Sequence, residues 1–268
     1  GLVPHDAEGY RLDAHTILIL LGTGVIGGLM ASMVGGASVI TFPVLLTVGL
    51  TPVVATASNL IAVSAGNLLA AFTDRSRLPP LNRAFAGLVA ASLIGAVLGA
   101  VLLLATPGRL FEQLIPLLLG FATILFAFAG NITQWLRERA RRRGHPQWRM
   151  TVTSIPLIFP ISVYGGYFGA GAGTLLLGAL TLATEGDYRT ANVTKNLVSS
   201  LNTVAASAWF ISHGAVSWPQ TLVMMIGCLV GGFSGAHLAR RVPQQLMRWV
   251  VVLVGLALTV LFAWRYWF

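Results

Sequence analysis

Apolar residues form long blocks along the chain, separated by short polar gaps, from residue 16 to the last residue. A helix needs about 20 predominantly apolar residues to cross a bilayer, so blocks of this length predict membrane-spanning helices. Continuously apolar runs such as 87–104 disfavour a transmembrane β-barrel, whose strands alternate apolar and polar residues. The blocks predict ten helices, at 16–34, 37–49, 52–72, 84–105, 110–135, 151–168, 171–183, 188–212, 217–238 and 247–267.

Two of the predicted helices are too short to span a bilayer, and each follows a glycine-rich stretch. They are 37–49, which follows 34–38, and 171–183, which follows 165–173. An offset near 135 superimposes the two halves of the chain and places Gly36 on Gly171. Paired interruptions at matching positions of two halves are typical of the central site of a secondary transporter. In the alternative interpretation, these glycines only allow helices to pack closely.

The positive charge of the chain indicates its orientation in the membrane. The formal net charge is +9, and the arginines concentrate in the gaps between apolar blocks, which is a topology signal and not a nucleic-acid groove. If 16–49 and 151–183 are re-entrant hairpins, thirteen arginines lie inside and three outside, whereas eight crossings give eleven and five. We therefore predict six crossings and two hairpins, with arginine-rich loops in the cytoplasm and both termini on the periplasmic side.

The predicted fold is an all-α polytopic membrane protein of two inverted repeats. Each repeat has a broken or re-entrant helical hairpin and three transmembrane helices, and an odd number of crossings inverts the second repeat relative to the first. The predicted boundaries are an N-terminal segment 1–15, a first transmembrane repeat 16–136, a basic cytoplasmic linker 137–150 and a second transmembrane repeat 151–268.

One cation lies inside a predicted membrane helix. All eight acidic residues fall in loops or at segment ends, whereas Lys195, the one lysine, lies within 188–212. An ionisable residue in a membrane helix suggests a functional site. Lys195 shares one helix face with neutral donors that suit an oxyanion, namely Asn192, Ser199 and Asn202. In the alternative interpretation, the Lys195 side chain extends back to the membrane interface, and the polar residues form hydrogen bonds between helices.

Backbone groups and neutral side chains complete the predicted site. A broken helix exposes unpaired N–H groups and a partial positive charge at its new N-terminus, which attract an anion. Glycines there let a small ligand touch the backbone. The predicted substrate-binding residues are Gly36, Ser38, Asn59, Asn67, Gly171, Gly173, Asn192, Lys195, Ser199 and Asn202, and the predicted gate is Tyr164, Tyr167 and Phe168.

Catalysis and cofactors are not expected. Ser38 lies in a stretch that is similar to a nucleophile loop, but the candidate bases His213 and His237 are predicted near the membrane faces, whereas Ser38 is deep. The single cysteine, Cys228, excludes an intrachain disulfide and a metal site built from cysteines. No metal or other cofactor is predicted.

Four motifs carry a resemblance to a known family. They are the run 35–43, the run 55–59, the run 165–173, and Thr194-Lys195-Asn196 with Asn202 seven residues beyond the lysine. Through them the chain resembles the TauE/SafE (TSUP) family of sulfite exporters from about residue 17 to residue 264. Ala37, Ser38 and Gly178 depart from the family pattern, which leaves the exact substrate open. The resemblance implies a bacterial inner-membrane carrier that exports sulfite, sulfonates such as sulfoacetate, or related small anions.

The expected function is a secondary transporter that moves a small anion out of the cytoplasm by alternating access. An anion channel and, less favoured, an intramembrane hydrolase with Ser38 as nucleophile are the alternatives, and import is open as well. The expected partners are a small anionic substrate and the lipid bilayer, without nucleic acid. A homo-oligomer is compatible with the sequence.

Overall fold

Ten helices make up the described part of the chain, with no strand among them. The computed structural model describes residues 13–33, 36–73, 78, 82–142, 155–183, 188–238 and 244–267. Each helix coincides with one predicted segment, so the all-α fold is confirmed. The helices are α1 Ala14–Met33, α2 Ala37–Thr47, α3 Pro52–Thr73, α4 Arg83–Ala105, α5 Gly108–Arg142, α6 Ile155–Tyr167, α7 Ala172–Ala183, α8 Tyr188–Ser212, α9 Trp218–Leu238 and α10 Gln244–Trp267.

Several of these helices have the length and composition of membrane spans, and the protein is a multi-pass membrane protein. Within the described ranges, four meet both criteria: Ala14–Ala31, Arg83–Ala105, Gly108–Phe128 and Arg248–Trp267. Shorter apolar helical stretches lie at Ala37–Thr47, Pro52–Ala65, Ala172–Thr181 and Trp218–Ser234. The number of crossings and their orientation stay predictions.

Helix α5 is longer than its apolar block. It continues seven residues past the predicted end at 135 and runs six residues into the segment predicted as the linker. Its last turns are rich in arginine, alanine and glutamate, which are strong helix formers. Gln134 Nε2 donates to Glu138 Oε1 at 3.3 Å across one turn of this tail. Burial therefore accounts for the first part of α5, and local helix propensity accounts for the tail.

Two helix pairs pack with their backbones almost in contact. In α1 and α9, a Cβ added to Gly28 would overlap the carbonyl group of Cys228. In α4 and α6, a Cβ added to Gly166 would overlap the carbonyl group of Ala96. Close approach through small residues is how membrane helices gain packing energy without a hydrophobic driving force between them.

The chain folds back between α1 and α2. A Cβ added to Gly27 would meet the methyl group of Thr41, although in one continuous helix residues this far apart are separated by about 21 Å. Helices α6 and α7 also pack against each other. Their turn contains Gly169 and Gly171 at φ +80° and +81°, a left-handed backbone that glycine adopts without steric cost. Each half therefore begins with a helical hairpin, as predicted.

Exchanging α1–α5 with α6–α10 maps the main packing pairs onto one another. The pair α1 with α9 becomes α6 with α4, and the pair α3 with α9 becomes α8 with α4. Helix α3 packs against α8, and α5 against α10, where Arg248 Nε donates to the carbonyl oxygen of Phe126 at 2.7 Å. The first hairpin contacts α3, the second contacts α8, and α3 and α8 pack against each other, so the paired helices and the two hairpins enclose one region.

Candidate functional site

A small cavity lies between the two hairpins, α3 and α8. Its volume is about 90 Å³. One water needs about 10–15 Å³ of such space, so the cavity holds a small ion or a few waters and excludes bulky ligands. The first turns of both short helices line it, with Ala37 and Ser38 from α2 and Ala172 and Gly173 from α7. Helix N-termini carry N–H groups without intrahelical partners, and these attract anions.

Five of the predicted substrate-binding residues line this cavity. They come from α2, α7 and α8, and they are Ser38, Gly173, Lys195, Ser199 and Asn202. Gly36, Asn59, Gly171 and Asn192 are not among the lining residues. The side chain of Asn67 lies outside the part of the structure that is described.

The glycines at the two helix breaks contact other helices. A Cβ added to Gly36 would lie 2.9 Å from the side chain of Val251 in α10. A Cβ added to Gly171 would lie 3.3 Å from the Cα atom of Ala122 in α5. Gly36 and Gly171 therefore let the breaks pack tightly against α10 and α5.

Asn59 connects two helices of the first half. It is fully buried, and Thr41 Oγ1 of α2 donates to Asn59 Oδ1 at 2.5 Å. The Asn59 amide nitrogen has no hydrogen-bond partner among the described residues. Asn192 is half-buried on α8. In this structure Asn59 joins α2 to α3, and neither side chain reaches the cavity wall.

Among the described residues that line the cavity, Lys195 alone is charged. Its side chain is 9 % exposed, and a Cβ added to Gly173 would lie 4.0 Å from its Cδ atom, so the lysine stem passes the first turn of α7. No residue in the described ranges accepts a hydrogen bond from the Lys195 ammonium group. A buried cation without a counter-charge is costly, and it lies beside the positive end of a helix.

Asn202 belongs to a closed ring of three hydrogen bonds that joins α4, α6 and α8. Ser92 Oγ donates to Asn202 Oδ1 at 2.8 Å, and Asn202 Nδ2 donates to Ser162 Oγ at 3.1 Å. The two serine oxygens are 2.7 Å apart, and this third bond closes the ring. The ring fixes the Asn202 side chain against the cavity wall.

Two members of this ring, Ser92 and Ser162, are not among the predicted site residues. Ser162 lines the cavity, one turn before Gly165 in α6, and Ser92 lies behind the wall. Ser92 is the single hydroxyl-bearing residue of the otherwise apolar α4. A lone polar residue in such a helix is a signal for an interhelical hydrogen bond.

The remaining hydroxyl groups of the wall fall into two kinds. Ser64 donates to the carbonyl oxygen of Ile61 at 2.8 Å, and Thr203 donates to that of Ser199 at 3.0 Å, so both hydrogens are used within their own helices. The hydroxyl groups of Ser38 and Ser199 have no partner in the described part of the chain. The cavity therefore offers free donors and one positive charge, and no described carboxylate lines it.

The predicted gate residues hold the turn between α6 and α7. Tyr164 donates to the carbonyl oxygen of Ala170 at 2.6 Å. The hydroxyl oxygen of Tyr167 lies 3.2 Å from Thr106 Oγ1. Phe168 is buried, with its ring centroid 5.2 Å from that of Phe42 in α2. None of the three predicted gate residues is among the lining residues, and their gating role stays a prediction.

The histidine candidates do not complete a nucleophilic pair with Ser38 in the described residues. His213 Nδ1 is exposed and lies 3.0 Å from Ser212 Oγ and 2.9 Å from the carbonyl oxygen of Trp209. The side chain of His237 lies outside the described part.

Comparison with known proteins identifies relatives over the whole region of the helices. The family model described as sulfite exporter TauE/SafE matches residues 20–262. "Probable membrane transporter protein ORF9" of Sinorhizobium sp is 29 % identical over 252 residues, 93 % of each chain. "Probable membrane transporter protein YfcA" of Escherichia coli K12 is 25 % identical over 88 % of this chain and 86 % of that protein. No solved structure matches.

Proposed function

The chain belongs to the sulfite exporter TauE/SafE family and is a membrane transporter, and we propose that it exports a small oxyanion from the cytoplasm by alternating access. The proposed substrates are sulfite or a short organosulfonate such as sulfoacetate, and the proposed location is the bacterial inner membrane, with arginine-rich loops in the cytoplasm.

The observation that carries this proposal is the unpaired Lys195 side chain in a cavity whose free hydroxyl groups can donate hydrogen bonds. An ammonium group inside a membrane protein is retained at a cost, and an anionic ligand offsets that cost by pairing with it. In this proposal the remaining oxygens bind to the hydroxyl groups of Ser38 and Ser199 and to the backbone N–H groups of Ser38 and Gly173. The neighbouring N–H groups of Val39, Ala172 and Thr174 already donate to backbone carbonyl oxygens. A cation substrate finds no described carboxylate at this wall.

The proposed transport step is a movement of the hairpins relative to the paired helices. Both hairpins, α3 and α8 contribute to the cavity wall, so a shift of either hairpin changes which side of the site is closed. The two halves supply matching packing pairs, which supports the predicted repeats that alternating access commonly uses. An inside-negative potential drives an anion outward with about 2.3 kcal/mol per charge per 100 mV.

Counterflow in proteoliposomes tests the proposal. Vesicles with purified protein are loaded with unlabelled sulfite, sulfoacetate, acetate or taurine, and uptake of the matching radiolabelled compound is followed in oxygen-free buffer. Saturable, transient accumulation of sulfite or sulfoacetate is the expected result, because a carrier exchanges labelled for unlabelled substrate. Sustained electrical current in a planar bilayer without counterflow would instead support a channel, and flux of no anion by folded protein would contradict the proposal.

A further inference from the structure

The ring of Ser92, Ser162 and Asn202 determines which Asn202 atoms remain available to a ligand. The ring has three donated hydrogens and three accepting atoms. If the amide oxygen and nitrogen of Asn202 exchange places, donor and acceptor exchange in each of the three hydrogen bonds, and all three bonds remain. In both arrangements the amide oxygen accepts a serine hydroxyl and the amide nitrogen keeps one further N–H. Asn202 therefore retains a free donor N–H in either case.

We propose that Ser92 is a positioning residue that fixes the hydrogen-bond polarity of the cavity and thereby its selectivity. This inference rests on the proposed anion transport. Ser92 is fully buried and does not line the cavity, so it acts on the substrate through Asn202. With the amide oxygen held by a hydroxyl, Asn202 presents a donor to the site, next to the Lys195 ammonium and the free hydroxyl groups.

A wall that presents donors selects ligands by their own hydrogen-bonding groups. An oxyanion whose exposed atoms all accept hydrogen bonds satisfies this wall. A ligand of the same size with an ammonium group places a second positive charge at a wall that already carries the Lys195 ammonium, and the Asn202 amide oxygen that would accept from it is held by the serine ring. The substrate class is therefore a small oxyanion without donors of its own, and amino-substituted sulfonates are rejected.

Loss of the Ser92 hydroxyl removes this constraint. Ser162 alone either donates to the amide oxygen or accepts from the amide nitrogen, so the Asn202 amide can rotate and turn its oxygen to the cavity. The site then accepts an ammonium group more readily. At the offset that relates the glycine stretches, Ser162 and Asn202 correspond to Gly27 and Asn67, so the first half has no matching serine.

Competition against sulfite counterflow tests the role of Ser92. Propane-1-sulfonate and taurine have the same number of non-hydrogen atoms and differ only in a terminal methyl against a terminal ammonium group, so the ratio of their inhibition constants measures the selectivity. In the wild type, propane-1-sulfonate is expected to bind more tightly. In Ser92→Ala the ratio is expected to fall at least about fivefold, which corresponds to one unsatisfied hydrogen-bonding group.

Three variants control this experiment. Ser200 is an equally buried serine whose hydroxyl donates to the carbonyl oxygen of Asn196 at 2.7 Å, outside the cavity wall, so Ser200→Ala is expected to keep the wild-type ratio. Ser92→Thr restores the hydroxyl and is expected to restore the ratio. If Ser92→Ala does not give folded protein, Ser92→Cys keeps the size with a weak donor, and a partial fall in the ratio is expected.

The outcomes separate the two proposals. A ratio in Ser92→Ala or Ser92→Cys equal to that in Ser200→Ala would overturn the positioning role, even with active transport. Absence of sulfite counterflow in the wild type would instead contradict the proposed function itself.

Discussion

At the residue scale, the proposed anion preference of the cavity depends on Lys195 and Asn202. Lys195 supplies the charge, and Asn202 supplies a donor whose direction the serine ring fixes. Two charges about 5 Å apart interact by about 3 kcal/mol at an effective dielectric constant near 20. Substitutions that change the charge of the cavity wall are therefore expected to lower the affinity for an anion more than substitutions that change only its shape.

Substitution of Lys195 tests the charge directly. Lys195→Met keeps the length of the side chain and removes the charge, so the affinity for sulfite is expected to fall by about a hundredfold. Lys195→Arg keeps the charge and is expected to retain most of the affinity. Equilibrium binding of radiolabelled sulfite to purified protein measures both variants, and an unchanged affinity in Lys195→Met would exclude a charge role.

Substitution of Asn202 with aspartate reverses the polarity of the opposite wall. The carboxylate is nearly isosteric with the amide and accepts a hydrogen bond from each of Ser92 and Ser162, which leaves the two serine oxygens without a hydrogen bond to each other. It also repels an anion, so the sulfite affinity of Asn202→Asp is expected to fall at least about a hundredfold. Wild-type affinity in this variant, measured by the same binding assay, would argue against an anion at this wall.

The sequence identifies part of the candidate site because charge and helix periodicity are local signals. Lys195, Ser199 and Asn202 lie one helical turn apart and line the same cavity. Ser92 forms its ring through residues 70 and 110 positions away, and no local pattern reports such a pair. The ligand-contact role of Gly36 and Gly171 stays a prediction, because local sequence does not report their packing against α10 and α5.

At the element scale, apolar blocks identify the helices because the bilayer requires both length and continuous apolarity. This signal predicts all ten helices and both hairpins. It does not predict the tail of α5, where arginine-rich sequence carries no burial signal and helix propensity decides. Helix pairing was not predicted either, because it depends on small residues whose partners lie in the other half of the chain.

The contact between α1 and α9 gives a stability prediction. An added methyl at Gly28 overlaps the backbone of Cys228, whereas one at Gly22 on the same helix meets no atom within 4 Å. Gly28→Ala is therefore expected to destabilise the protein by about 1–3 kcal/mol, as overpacking does. Gly22→Ala is the matched control and is expected to be neutral or stabilising. Thermal unfolding in detergent compares the two, and equal midpoints would contradict this account of the contact.

At the scale of the whole molecule, the orientation of the helices determines which loops lie in the cytoplasm and which lie on the periplasmic side of the membrane. The prediction of six crossings and two hairpins places Asp13 and His213 outside and the exposed Gln134 of the α5 tail in the cytoplasm. The arrangement with eight crossings places all three in the cytoplasm. The native Cys228 is fully buried, so it interferes little with labelling of new cysteines.

Cysteine labelling in intact cells distinguishes the two arrangements. Asp13→Cys and His213→Cys are expected to react with a membrane-impermeant thiol reagent added outside, and Gln134→Cys is expected to react only after the membrane is opened. Protection of the first two variants in intact cells would overturn the predicted topology.

Sulfite counterflow by wild-type protein and Lys195→Met, reconstituted side by side at equal amounts of folded protein, tests the central claim most directly. The account predicts saturable counterflow in the wild type and its loss in Lys195→Met, because the cavity binds the anion through that ammonium group. Equal counterflow in the two proteins would contradict it and would place the transported anion at a different site.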